Sequence, residues 1–392
     1  MDYASRLNGT RRRFITEKNN MKKIKVLIAT GLKAPSMMSL AFTTKILVEG
    51  LPKNNIDVSV VSFDAVMKYP RFLRHGIYFF KLLFKSFSTS VIYAQDPVSV
   101  GFPAMLVSKV LHKRFILRIV GDYAWEQGVQ RRGVVDILEK FSTEYDKYPL
   151  FIRVLKKIQH QVAESAETVV VPSEYIKHIV SNWGIKKEKI ITIYQPFEAK
   201  EINKSKDDLR KELGIGGKVI LSVGRLVPWK RYGVIIETMP NILKVFPDST
   251  LIIIGKGPDM AFLKDKTKSL KLEKHVKFLG MQTEDKINEY TKAADVFLSD
   301  SSYESFSSQL LEVFSIGTPV VLIGGSETTE IIEHEKNALV VKNHDSDEIS
   351  KAVIKILSDE SYSNKLIVEG KGGLNKFAAK EILLKFVSIF NK

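Results

Sequence analysis

Two glutamates, Glu304 and Glu312, are separated by seven intervening residues within the segment Ser299–Asp345. Between them, Ser305-Phe306-Ser307-Ser308 reads as a turn that opens a helix at about Ser308. A helix start offers unpaired N–H groups and a partial positive charge, so it is an anion site. Glu304 then sits just before that terminus and Glu312 about one turn inside it, on the same face. The spacing alone is common and gains weight only from other segments. In Val223–Lys230 a glycine, Gly224, lets the chain turn sharply and a loop then offers Arg225 and Lys230. Such a pair suits a diphosphate, each charged hydrogen bond contributing about 1.5–3 kcal/mol. A solvated basic loop is the competing reading. Gly255-Lys256-Gly257-Pro258 is a second glycine turn, and it matches neither a Walker nor a dinucleotide fingerprint.

In the first half, Asp122 follows the run Phe115–Val120, with Glu126 behind it. A carboxyl there could work at a cleft or simply cap the next helix, and the sequence leaves both open. Gln95-Asp96-Pro97 reads as a helix start. Asp345-Ser346-Asp347 has the acidic spacing of a cation site but directly precedes a helical stretch, where Asp and Ser are ordinary caps. No metal is expected. The seven histidines are scattered, and zero cysteines exclude disulfides, thiolate zinc, iron–sulfur clusters and a cysteine nucleophile.

These residues need elements to position them. Short β-branched runs recur at Ile24–Ala29, Val58–Phe63, Val91–Ala94, Phe115–Val120, Thr168–Val171 and Ile190–Ile193. Amphipathic stretches such as Met38–Leu51 and Pro149–Glu164 lie between them. The same grammar restarts at Lys218–Val223 and continues through Thr250–Ile254, Val276–Leu279, Val296–Ser299, Val320–Ile323 and Ala338–Val341. This is the pattern of β-α-β units on a parallel sheet, written twice. It predicts an α/β chain of two Rossmann-like, doubly wound domains: 21–199 and 200–374, with a terminal helix over 375–392. Residues 1–20 read as a basic arm or an over-long start, with no signal peptide. Parallel sheets place ligands at the carboxyl ends of their strands, so the site is expected in a cleft between the domains.

In combination and in order, these pieces resemble the retaining glycosyltransferases of family 4, with the GT-B fold. The resemblance rests on the strand followed by G-R-x-x-x-x-K at Gly224–Lys230, the G-x-G-P turn, Ala294-Asp295-Val296, the Glu304–Glu312 pair, Gly317-Thr318-Pro319-Val320-Val321, and Gly324-Gly325 with Glu330 beyond. It implies transfer of a sugar from a nucleotide-diphosphate sugar to an acceptor hydroxyl, with no further cofactor. Arg225 and Lys230 then hold the donor diphosphate, Glu304 the sugar hydroxyls and Glu312 the ribose. Gly257 and the backbone of Phe306, Ser307 and Ser308 complete the donor site, and Asp122 is the first domain's candidate near the reacting centre. Three departures stand out: Ser307 where glycine is usual, no paired glycines in Thr30–Ser36, and Tyr194-Gln195-Pro196 where Pro-Asn-Gly is frequent. The same fold could also serve an epimerase, a phosphorylase or a non-catalytic relative.

Of the formal net charge of +16, residues 1–200 carry +15 and residues 201–392 only +1. Such asymmetry points to an anionic partner for one half. No zinc-finger, RNP-like or helix-turn-helix signature supports nucleic acid, though a basic nucleic-acid-binding protein stays the alternative of a different class. Arg71–Phe87 places Arg74, Tyr78, Lys81 and Lys85 on one helical stripe and Phe72, Phe79, Phe80, Leu83, Phe84 and Phe87 on the other side. That is a membrane-surface signature, or a helix packing its apolar face inward. Lys113, Arg114, Arg131, Arg132, Lys156 and Lys157 add to the charge. The expectation is a cytoplasmic enzyme, peripheral at the inner membrane face, acting on a lipid-linked or cell-surface polysaccharide precursor. No run is long and apolar enough to span a bilayer.

Overall fold

Strands buried on both faces of a parallel sheet must be apolar along their whole length. In a computed structural model, which describes residues 23–31, 39–300, 305–324 and 330–392, the apolar runs become such strands. The arm at 1–20, most of the loop beyond Gly31, Glu304 and Gly325 lie outside the described residues. The first sheet holds β1 Ile24–Thr30, β2 Ile56–Ser62, β3 Val91–Ala94, β4 Arg114–Arg118, β5 Thr168–Val171 and β6 Ile190–Thr192. The second holds β7 Val219–Val223, β8 Thr250–Ile254, β9 Val276–Gly280, β10 Val296–Asp300, β11 Val320–Ile323 and β12 Leu339–Val341. Every pairing is parallel, for example Val26 with Val58 and Val91, and Phe297 with Val320.

The orders are β2-β1-β3-β4-β5-β6 and β12-β11-β10-β7-β8-β9. In the second sheet the chain winds outward from β7 to β9, then returns beside β7 and winds the other way from β10. That reversal opens a crevice at the carboxyl ends of β7 and β10, where doubly wound sheets bind ligands.

Helices cover both faces of each sheet. One face of the first sheet packs the helices Arg71–Ser86, Gly101–Leu111, Leu150–Ser165 and Glu174–Asn182 through residues such as Leu82, Val107, Ile152 and Ile179. The other face receives Ser39–Gly50 and, from the far end of the chain, Ala379–Phe390. This terminal helix therefore crosses back: Phe386 and Phe390 lie 5.7 and 5.6 Å from the Tyr93 ring. The two chain crossings are themselves joined, with the Phe197 amide donating to Phe377 O at 2.9 Å and that of Ala379 to Phe197 O at 3.0 Å.

The helix Arg71–Ser86 corrects the expected stripe. Tyr78 is not on a solvated basic face; it is fully buried and donates to Val61 O at 2.9 Å. Leu82 and Ser86 are buried with it, while Phe80, Phe84 and Phe87 are 56, 71 and 61 % exposed. Lys81 and Lys85 flank them in solvent. The apolar residues go round the whole helix, so its outer face is aromatic. Among the described residues no helix is long and apolar enough to cross a membrane.

Candidate active site

The chain turns after β7 at Gly224, with φ 150°, and again after β8 at Gly255, with φ 146°. These turns press backbone to backbone: a Cβ on Gly255 would lie 1.8 Å from Gly224 O, and one on Gly257 only 1.9 Å from Leu226 O. No side chain fits at either place. Gly257, expected at the donor, thus serves this close approach and does not itself line the cavity; its neighbours Gly255 and Lys256 do. The carboxyl ends of the two strands become one rigid ledge, with the Leu226 amide donating to Lys256 O at 3.0 Å.

A cavity of about 580 Å³ opens above this ledge. Its floor includes Arg225 and Lys256, and Met281 and Gln282 after β9 form one side. The helix Ser308–Ile316 supplies Ser308 and Glu312, while Lys45 and the crossing residue Lys200 approach from the first domain's side. Ser307 is the N-cap of that helix but gives it no capping side chain, and its first turn carries no acid. Among the described residues no N-cap side chain takes its first amides, which is what an anion site there needs. The Phe306 ring, as distinct from the backbone expected at the donor, does not line the cavity. It is buried, its centroid 5.7 Å from that of Tyr194 and 5.5 Å from that of Phe377.

Glu312 is pushed up to about 7, chiefly by burial and further by the Glu284 carboxylate, against which Lys200 pulls it down. Lys200 is itself paired with Glu284 at 2.6 Å. Sequence reasoning did not single out Lys45, Lys200, Lys256, Glu284 or Gln282. Lys256 and Gln282 had a usable signal, since both follow directly on a strand's carboxyl end.

Asp122 takes the capping one of its two readings. Its carboxyl is fully buried and caps the helix Tyr123–Arg131, Oδ1 accepting from the Trp125 amide at 2.9 Å and from Gln159 Nε2 at 3.1 Å. Burial raises its pKa. Asp96 likewise binds the amides of Val98 and Ser99 at 2.8 and 2.6 Å. Asp345 accepts from the amides of Asp347 and Glu348, so the acidic triplet is a helix cap.

Among the described residues, contacts cross the cleft on both sides. Trp229, in the short turn Pro228–Lys230, lies with its ring centroid 5.5 Å from that of Trp125. The Arg225 guanidinium stands 5.7 Å over the Trp229 ring. It also draws down the pKa of Glu126, which burial raises. On the other side, Ser173 Oγ donates to Ser305 O at 2.6 Å, and Glu330 Oε1 accepts from the Glu174 amide at 2.6 Å. The second domain thus caps a helix of the first.

Comparison with known proteins fits this arrangement. Residues 205–372 match the family of glycosyl transferases group 1. An uncharacterized glycosyltransferase of Methanocaldococcus jannaschii is 30 % identical over 236 residues, covering 58 % of this chain and 60 % of that protein. The alpha-monoglucosyldiacylglycerol synthase of Streptococcus pneumoniae is 27 % identical over 233 residues, covering 55 % and 53 %. The chain therefore spans only part of the length of these curated relatives. Among solved structures, Anabaena HepE in complex with UDP-glucose superposes with a TM-score of 0.74 over 94 % of this chain and 99 % of that one, at 18 % identity. Sucrose-phosphate synthase from Thermosynechococcus elongatus gives 0.73 over 94 % and 98 %, at 17 %. These likenesses show the fold: two Rossmann-like domains facing across a cleft, the GT-B arrangement.

Proposed function

We propose, from the match of residues 205–372 to the family of glycosyl transferases group 1, that the chain moves a sugar from a nucleotide-diphosphate sugar to an acceptor hydroxyl with retention of configuration. One observation carries the reading: a single cavity is lined by Arg225, by Ser308 at a helix start that the Ser307 side chain does not cap, and by Glu312 one turn further in. Arg225, Lys230 and the helix amides hold the diphosphate, and the Glu312 carboxylate accepts from the ribose hydroxyls. Glu304 holds the donor sugar. The acceptor oxygen bonds to the anomeric carbon on the face from which the nucleoside diphosphate departs, taking the electron pair of the broken C–O bond. The acceptor's proton leaves with that diphosphate. Charge appears on the leaving group in the transition state, which is where preorganised donors act most strongly.

The acceptor side is proposed to rest on an anionic membrane surface and to take a lipid-linked or membrane-proximal glycan. The support is the excess charge of residues 1–200 and the outward aromatics Phe80, Phe84 and Phe87 between Lys81 and Lys85. From Val66 to Gly121 the chain has nine Lys and Arg against one acid, Asp96. Interfacial aromatics beside lysines are what a headgroup layer binds.

A thermal-shift screen of UDP-, GDP- and ADP-sugars tests the donor reading, because a ligand of the native state raises its melting temperature. One nucleotide sugar should give a shift that Arg225→Ala and Glu312→Ala both remove. No shift with any of them, together with salt-sensitive DNA binding, would instead favour a nucleic-acid-binding protein.

A further inference from the structure

The loop after β7 belongs to two cores. Leu226 is buried in the second domain, packed with Ile220 and Ile253. Val227 and Trp229, one and three residues on, are 4 and 5 % exposed and buried in the core of the first domain. The loop cannot slide on its own ledge, because the backbones of Gly255 and Gly257 lock Gly224 and Leu226 from below. Its seat in the other domain is equally fixed. Trp125 Nε1 donates to Asp136 O at 2.8 Å, and the Trp125 amide is held by Asp122, which Gln159 holds in turn. Opening the cleft must therefore draw Trp229 off Trp125. In this loop Arg225 stands four residues before Trp229, its guanidinium 5.7 Å over the indole ring, and Lys230 follows Trp229 directly.

We propose that Trp229 is a positioning residue: seated against Trp125, it sets Arg225 and Lys230 at the diphosphate, so the leaving-group site is complete only in the closed arrangement. This goes beyond the donor reading but rests on it. An aromatic plug suits the task, since two indoles in contact attract beyond their buried area and hold a defined geometry. A misplacement of about 1 Å at such donors costs about 100-fold in rate.

The experiment is a double-mutant cycle on the full chain, with transfer or donor hydrolysis as readout. Trp229→Ala should lower kcat about 10–100-fold with less than about a threefold change in the donor KM, because the interaction lost is one made in the transition state. In an Arg225→Ala background the same change should cost less than it does in the wild type, since one of the two groups it positions is gone, and in an Arg225→Ala, Lys230→Ala background it should cost less than about threefold. Trp229→Phe should recover part of the rate. Full additivity of the two substitutions, or wild-type kcat in Trp229→Ala, overturns the proposal. The seat is read separately from near-ultraviolet circular dichroism of the paired indoles, which Trp125→Phe and Trp229→Phe should weaken alike. Unchanged spectra in both overturn the seat while leaving the donor reading intact. A wild-type protein that binds no nucleotide sugar overturns the donor reading and the positioning role together.

Discussion

The first domain carries most of the net charge, much of it exposed although Arg118 and Lys156 are buried, and the second brings a few charges to the cleft. Residues 1–200 are net +15, yet the acid that looked catalytic there, Asp122, is sealed as a helix cap. Residues 201–392 are net +1, yet they line the cavity with Arg225, Lys256 and Glu312. Bulk charge therefore does not report where a charged ligand binds. A diphosphate in a partly enclosed site needs a few donors, each strong because water is displaced. A headgroup layer needs many exposed cations, each adding about 1 kcal/mol and each weakened by salt.

The largest effect should separate the domains by turnover. Arg225→Ala and Lys230→Ala should each lower kcat by about 10²–10³, the usual loss for one preorganised donor at a developing anion. Glu304→Ala should collapse transfer in the same way, with far-ultraviolet dichroism unchanged. Lys81→Glu with Lys85→Glu removes two cations from the other domain and should leave turnover on a soluble acceptor within about twofold. Equal losses from the two pairs would end the distinction.

The next effect should separate them by surface. Wild-type protein should co-sediment with vesicles of anionic lipid at low salt and release at high salt. Phe80→Ser with Phe84→Ser should weaken that binding about 10–100-fold, because both rings lose an apolar environment. Lys81→Glu with Lys85→Glu should weaken it at low salt only. Absence of binding to anionic vesicles at low salt, or equal binding to uncharged ones, removes the membrane half of the comparison.

The same contrast governs what could be read from the chain. All six strands of each sheet lie within about two residues of the apolar runs that announce them, because a parallel strand buried on both faces leaves no freedom of pattern. Helix starts were legible where a cap stood, as at Asp345, whose side chain accepts from the Asp347 and Glu348 amides. The helix Arg71–Ser86 was legible as an amphipathic segment but not in its orientation. A helical wheel divides a surface without saying which side faces the sheet, and only the sheet's position put Tyr78 inward and Phe84 outward. Asp122 stayed ambiguous because a cap and an acid have the same sequence. Trp229 was missed as a cross-domain contact because Val227-Pro228-Trp229 has no periodicity, and its partner lies about a hundred residues earlier.

A smaller effect belongs to pH. The Glu312 carboxyl, raised to about 7, is largely protonated at pH 6 and ionised at pH 8. Ribose hydroxyls donate to the ionised form, so donor affinity should rise about tenfold across that interval. Glu312→Gln should flatten the profile. For the free protein the sign is opposite. A raised folded pKa means the native state binds the extra proton, so Glu312's contribution to stability falls as pH climbs from the ordinary carboxylate range through about 7. An affinity profile that survives Glu312→Gln assigns the titration to another group.

The smallest effect tests whether the domains are joined at the second contact as firmly as at the tryptophans. Ser173 caps the helix Glu174–Asn182 through the Ile176 amide at 3.1 Å and also donates to Ser305 O. Ser173→Ala removes both bonds and should cost about 1 kcal/mol, the usual value of an N-cap, so amides at the start of that helix should exchange about fivefold faster. Glu330→Gln keeps an oxygen that can accept from the Glu174 amide and should do less. If the contact is only a cap, faster exchange stays within the first domain. If it carries closure, Ser173→Ala also speeds exchange at Ser305 and Phe306, beside the start of the helix that lines the cavity. Trp229→Ala should then do the same from the opposite side of the cleft. Response at those amides to one substitution and not the other would show that the two contacts open independently.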